Sequence, residues 1–134
     1  MTAVLPGRSR LLSTTVGAAV LVLLTAATWF VWAGWSDPPY APWRMAGLAV
    51  TAAALAILAP RWLPAWVVGI AMPPAFTVAW SLTAAAADDS GLWAVGALFV
   101  LVGGIVAVLV LVPLGVALRP VRLRGPHGLL SAGR

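Results

Sequence analysis

Side chains that carry charge, move protons or ligate metals are scarce in this chain, and their positions are informative. Its carboxylates are Asp37, Asp88 and Asp89, its one imidazole is His127, and all eight basic side chains are Arg. Cys, Lys, Glu, Asn and Gln do not occur. Without Cys there is no disulfide or thiolate metal site. One His, near the C-terminal end, leaves haem or zinc within a bilayer without its usual ligands. No catalytic, cofactor or metal constellation is therefore expected.

Three candidate sets remain. The first comprises Asp37, Arg44, Asp88 and Asp89, read as surface ion pairs. Their carboxylates supply some of the six to eight or so oxygens that calcium takes. The simpler reading makes the acids turn formers and helix caps. Asp88-Asp89-Ser90-Gly91 reads as a turn whose Asp and Ser oxygens accept from the orphan N–H groups of the following helix. An exposed Arg–Asp pair stabilises by only about 0–1 kcal/mol.

The second set is a pair of helix interruptions, Pro73 and Pro74 in one apolar run and Gly103 and Gly104 in the next. Consecutive prolines remove two backbone donors and crowd the carbonyls one turn back, which predicts a kink. Facing interruptions at mid-depth are a way for transporters to present carbonyls to a substrate. The plainer alternative is that Gly and Pro are tolerated in membrane helices and let backbones approach closely. Polar side chains at that depth are limited to Thr51, Thr77 and Ser81, and no ionisable residue lies deep in a span. Ion-coupled transport ordinarily needs one there.

The third set is Arg8, Arg10, Arg61, Arg119, Arg122 and Arg124, expected to contact lipid headgroups. Each basic residue near an anionic surface contributes about 1 kcal/mol. The net charge of +5 therefore points to anionic lipid and not to nucleic acid.

The elements that position these residues are apolar runs. The chain is 63% hydrophobic and 8% charged, with a mean hydropathy of +1.05, so its solvent is lipid. About 20 residues cross the hydrocarbon core, and 134 residues hold four such spans and little else. The expected fold class is all-α, an integral membrane bundle of four transmembrane helices. The spans are placed at about 11–35, 43–59, 63–87 and 92–118. A basic lead occupies 1–10, and a basic, poorly ordered tail occupies 119–134. The first apolar run is too long for a signal-peptide core and reads as an uncleaved signal-anchor. The prolines of the 36–42 segment and Pro60 and Pro64 separate neighbouring helices, with Pro64 suited to the first turn of the third.

Orientation follows from Arg. With the N-terminus inside, Arg44 alone among the Arg residues lies outside, together with all three Asp residues, which predicts both termini in the cytoplasm. Trp29, Trp32, Trp35, Tyr40, Trp43 and Trp93 collect at the outer ends of spans and Trp62 and Trp66 at an inner end, as interfacial rings do. Trp80 is the deeper exception. A faint repeat links Trp43-Arg44-Met45-Ala46-Gly47-Leu48 to Trp93-Ala94-Val95-Gly96-Ala97-Leu98 and raises the idea of two related hairpins. Thr25, Thr28 and Thr51 are expected to bond to their own helices or bridge neighbours. Close packing is expected at Gly17, Ala18, Gly47, Ala54, Gly96 and Gly103.

The expected function is that of a non-enzymatic accessory or scaffold component of a bacterial plasma membrane, associating with a larger membrane complex or with itself. The alternative is a small oligomeric channel or transporter with a pathway near Pro73 and Gly103.

Overall fold

A computed structural model describes residues 6–35 and 39–118. The fold is all-helical: α1 (Pro6–Trp32), α2 (Pro42–Leu58), α3 (Ala65–Ala87) and α4 (Trp93–Ala117), with a single 3-10 turn (Ala59–Arg61) extending α2. All four helical runs are long and apolar enough to cross a membrane. Only 11–28% of each span is buried within the bundle. Leu23, Val50, Ile70, Phe99 and Leu109 are among the large apolar side chains facing outward. A helix apolar on all sides suits a lipid solvent.

The helix ends refine the sequence boundaries for local reasons. Residues from Pro6 onward, the first described, are already helical, so Arg8 and Arg10 lie within α1. At the other end α1 stops at Trp32, short of the expected residue 35. Ala33 and Gly34 N–H groups both fold back onto the Trp29 carbonyl. The Trp35 indole N–H closes the same turn on the Val31 carbonyl at 2.8 Å.

α2 continues beyond Leu58 because Pro60, lacking an N–H, tightens the last turn to 3-10 geometry without ending it. Trp62 and Leu63 then donate to the Ala59 carbonyl. Pro64 is the N-cap of α3 (ψ 137°) and not part of its first turn, so that helix starts at Ala65. Between α3 and α4, Gly91 takes φ +76°, a left-handed conformation open to glycine at no steric cost.

Successive helices run antiparallel. α3 packs most extensively, against α1 and α4, while α2 bridges α1 and α4 more lightly. The interior has two cores. Towards the end bearing Arg61, Leu21, Ala56, Leu63, Val68, Met72, Val108 and Val112 pack together. Towards the end bearing Asp88, Trp29, Ala33, Leu48 and Ala79 pack together with Phe76, Tyr40 and Trp80 around them.

Candidate functional site

Between the two cores lies a cavity of about 510 Å³ that opens to the outside of the bundle, where Ala49, Gly103 and Ala107 are exposed. All four helices line it: Thr25 from α1, the Ala49, Ala52, Ala53 and Ala56 stripe from α2, Met72, Pro73 and Phe76 from α3, and the Val100, Gly103, Gly104, Ala107, Val108 and Leu111 face of α4. Pro73, Gly103 and Gly104 are thus brought together, but not as interruptions. α3 and α4 run unbroken through these residues. A methyl added at Gly104 would stand 3.4 Å from Pro73 Cβ, an ordinary contact, whereas one at Gly103 would meet nothing within 4 Å. Gly103 therefore opens onto the cavity and is not the close-packing position expected. Ala54 is likewise exposed. Pro74 points elsewhere, into a shallow groove between α1 and α3 with Val22, Phe30 and Leu82.

The cavity wall is apolar. Its one hydroxyl, Thr25, donates to the Leu21 carbonyl at 2.7 Å and is 2% exposed. Thr77 donates in the same way to the Pro73 carbonyl at 2.8 Å, and Thr28 to Leu24. Such back-bonding lowers the cost of a hydroxyl in a medium that offers no hydrogen bonds.

The Asp88 end is built differently. Trp29, 3% exposed, donates its indole N–H to Thr83 Oγ1 across to α3 at 3.0 Å, and the Thr83 hydroxyl in turn donates to the Trp80 carbonyl. Trp32 does the same to Thr51 on α2 at 3.1 Å, with Thr51 donating to the Gly47 carbonyl. Two Trp–Thr clasps therefore tie α1 to both of its neighbours. Edge-on rings surround them: Trp29 meets Tyr40 and Phe76 at 5.8 Å each, and Trp32 meets Trp43 at 6.3 Å.

The faint repeat has a structural counterpart here. In each hairpin a Trp of the first helix sits on a Gly of the second, Trp32 on Gly47 and Trp80 on Gly96. This accounts for the deeper position of Trp80. Gly47 and Gly96 are close-packing positions as expected, while Thr83 and the Trp partners of the two glycines were not apparent in the sequence; a buried indole's need for an acceptor is the signal that finds Thr83 once the helices are aligned.

Arg44 is half-buried, with its guanidinium 4.1 Å over the Trp35 ring and 5.2 Å over Trp43. Its Nε is buried without a hydrogen-bond partner, and no carboxylate of the described residues pairs with it. Of the two expected pairings, that with Asp88 or Asp89 is not seen, and Arg44 instead stacks on Trp35, just past α1, and Trp43, at the start of α2; the other was with Asp37. Asp37 lies outside the described residues.

Asp88 acts as the cap its position predicts. One carboxylate oxygen accepts from the Ser90 N–H and hydroxyl, the other from the Trp93 N–H at 2.7 Å. These bonds, Ser90's side chain first, hold its carboxyl below the ordinary carboxylate range, with desolvation opposing them. Among the described residues no three potential metal ligands gather.

At the Arg61 end, Arg10 and Arg61 are exposed, as are Trp62 and Trp66, a combination suited to a headgroup layer. The Arg8 side chain and Arg119, Arg122 and Arg124 lie outside the described structure. The chain matches no family model, no curated protein and no solved structure.

Proposed function

We propose that this chain is a non-enzymatic accessory or scaffold component of a bacterial plasma membrane, crossing it four times with both termini in the cytoplasm. The observation that carries this reading is the use made of the interior polar groups. Thr25, Thr28, Thr51, Thr77 and Thr83, with the Trp29 and Trp32 indoles, are all engaged in bonds to backbone or between helices. The two Trp–Thr bonds join helices, the other hydroxyls are satisfied on their own helices, and the outer surface is left to lipid and partners. The orientation rests on Arg10 and Arg61 sharing one end, opposite Asp88 and Asp89.

The second reading, an oligomeric channel or transporter, is favoured by the 510 Å³ cavity at the Pro73 level. Its apolar wall fits an ion or polar solute poorly. Replacing Pro73 and Pro74 by Ala separates the readings. The scaffold account expects partner association to persist and no solute flux in liposomes from either protein. Flux that changes with the substitution overturns it. A reporter fused after Arg134 is expected to be active only in the cytoplasm.

A further inference from the structure

A cleft of about 690 Å³ opens at the Asp88 end, separate from the central cavity. Its walls are Trp35, Tyr40, Trp80, Trp93, Thr83 and Asp88, with Ala and Gly residues filling the gaps. The turn after α1, the segment before α2, the last two turns of α3 and the start of α4 converge there. Trp80 lies two turns below Asp88, so the cleft reaches about 12 Å along α3.

We propose that this cleft binds a substituted ammonium group, with Asp88 as counter-charge and the four aromatic side chains as walls. The electron-rich faces of Trp and Tyr attract cations, and alkylated ammonium ions favour them because their methyl groups need no hydrogen-bond acceptor. Small apolar walls at Ala84 and Ala87 suit such methyls. A bare divalent cation finds a single carboxylate in this lining, too few oxygens for its shell.

Charge and local precedent agree. Asp88 keeps its charge at neutral pH because its bonds to Ser90 and Trp93 favour the carboxylate. Asp89 stands beside it, exposed, giving this end two described carboxylates to one guanidinium. Trp35, at the rim, already holds a cation over its ring, the guanidinium of Arg44. Arg44 itself is not part of the cleft wall. The hydroxyl of Thr83 is occupied by Trp29 and Trp80, so selectivity falls to the aromatic faces and Asp88.

The ammonium group has two sources at this depth, a zwitterionic lipid headgroup or a free solute. The test uses the full chain in nanodiscs of phosphatidylglycerol, whose headgroup carries no ammonium, with radiolabelled choline as the probe. Saturable binding of one choline per chain is expected, displaced by tetramethylammonium. Asp88→Asn retains an oxygen for the cap yet removes the charge, and should weaken binding about tenfold or more. Asp89→Asn should change it less than about twofold.

Trp93→Leu removes a wall without touching the carboxylate and is expected to weaken binding as well. It carries the test if Asp88→Asn does not fold, judged by helicity and monodispersity. Competition by added phosphatidylcholine assigns the site to a headgroup; its absence assigns the site to a free solute. Non-saturable binding overturns the proposal. So does binding indifferent to both Asp88→Asn and Trp93→Leu, or displacement by potassium as effective as by tetramethylammonium.

Discussion

The Asp88 end and the middle of the bundle use the same four helices and differ in what fills the space between them. At the Asp88 end the fillers are indoles, each with a polar handle that finds a hydroxyl on a neighbouring helix: Trp29 on Thr83 and Trp32 on Thr51. In the middle the fillers are Ala and Gly, and they leave a cavity. Lipid is as apolar as Leu, so no hydrophobic drive pulls helices together. Close backbone contact and interhelical hydrogen bonds do it instead. The ends are therefore the fastened regions and the middle is the slack one.

The largest effect that sharpens this contrast comes from one substitution made at two depths of α4. A methyl at Gly115 would run into the Ile57 carbonyl oxygen, backbone that cannot turn aside as a side chain would. Gly115→Ala is expected to destabilise the bundle by about 1–3 kcal/mol, lowering its thermal midpoint in bilayer nanodiscs. Next come the clasps. Trp29→Phe and Trp32→Phe each keep a ring and remove one N–H donor, and each should cost about 0.5–1.5 kcal/mol by the same assay. An unchanged midpoint in both would break the idea that the clasps fasten α1.

Gly103→Ala reverses the sign. Its methyl enters open space and replaces a poor helix former, so a gain of up to about 1 kcal/mol is expected. A loss comparable to that of Gly115→Ala would contradict the slack middle. The smallest effect is acidic. Asp88 has a folded-state pKa below its ordinary value of 3.8, so its contribution is complete above that value and disappears as pH falls through the lower folded one. Asp88→Asn should be less stable than the parent at pH 7, and the difference should shrink as pH falls below 3.8, so that acid unfolding of the variant shows less pH dependence.

Much of this was legible in the sequence. Continuous apolar runs and intervening prolines place the four helices within a few residues, because length and composition alone decide what crosses a bilayer. The Asp88 cap and the back-bonded Thr25 and Thr28 are local, and local geometry follows from residue type. The rest depends on which helix neighbours which. Helices apolar on every side carry no stripe that marks a partner, so Trp32 against Gly47, Trp80 against Gly96 and Arg44 on Trp35 appear only once the bundle is assembled. The Pro73 and Gly103 region shows the same limit. The residues were identified and their meeting at one depth was expected. Their role was not, because each lies within a continuous helix and lines a space that other residues leave empty.

The central claim is that this bundle serves by association within the membrane. Purifying a tagged full-length chain from its native membrane in mild detergent, then identifying and weighing what accompanies it, tests that claim most directly. The account predicts a larger membrane protein in fixed stoichiometry, retained in the Pro73→Ala/Pro74→Ala variant. A homo-oligomer with no partner, conducting solute when reconstituted in liposomes, would contradict it.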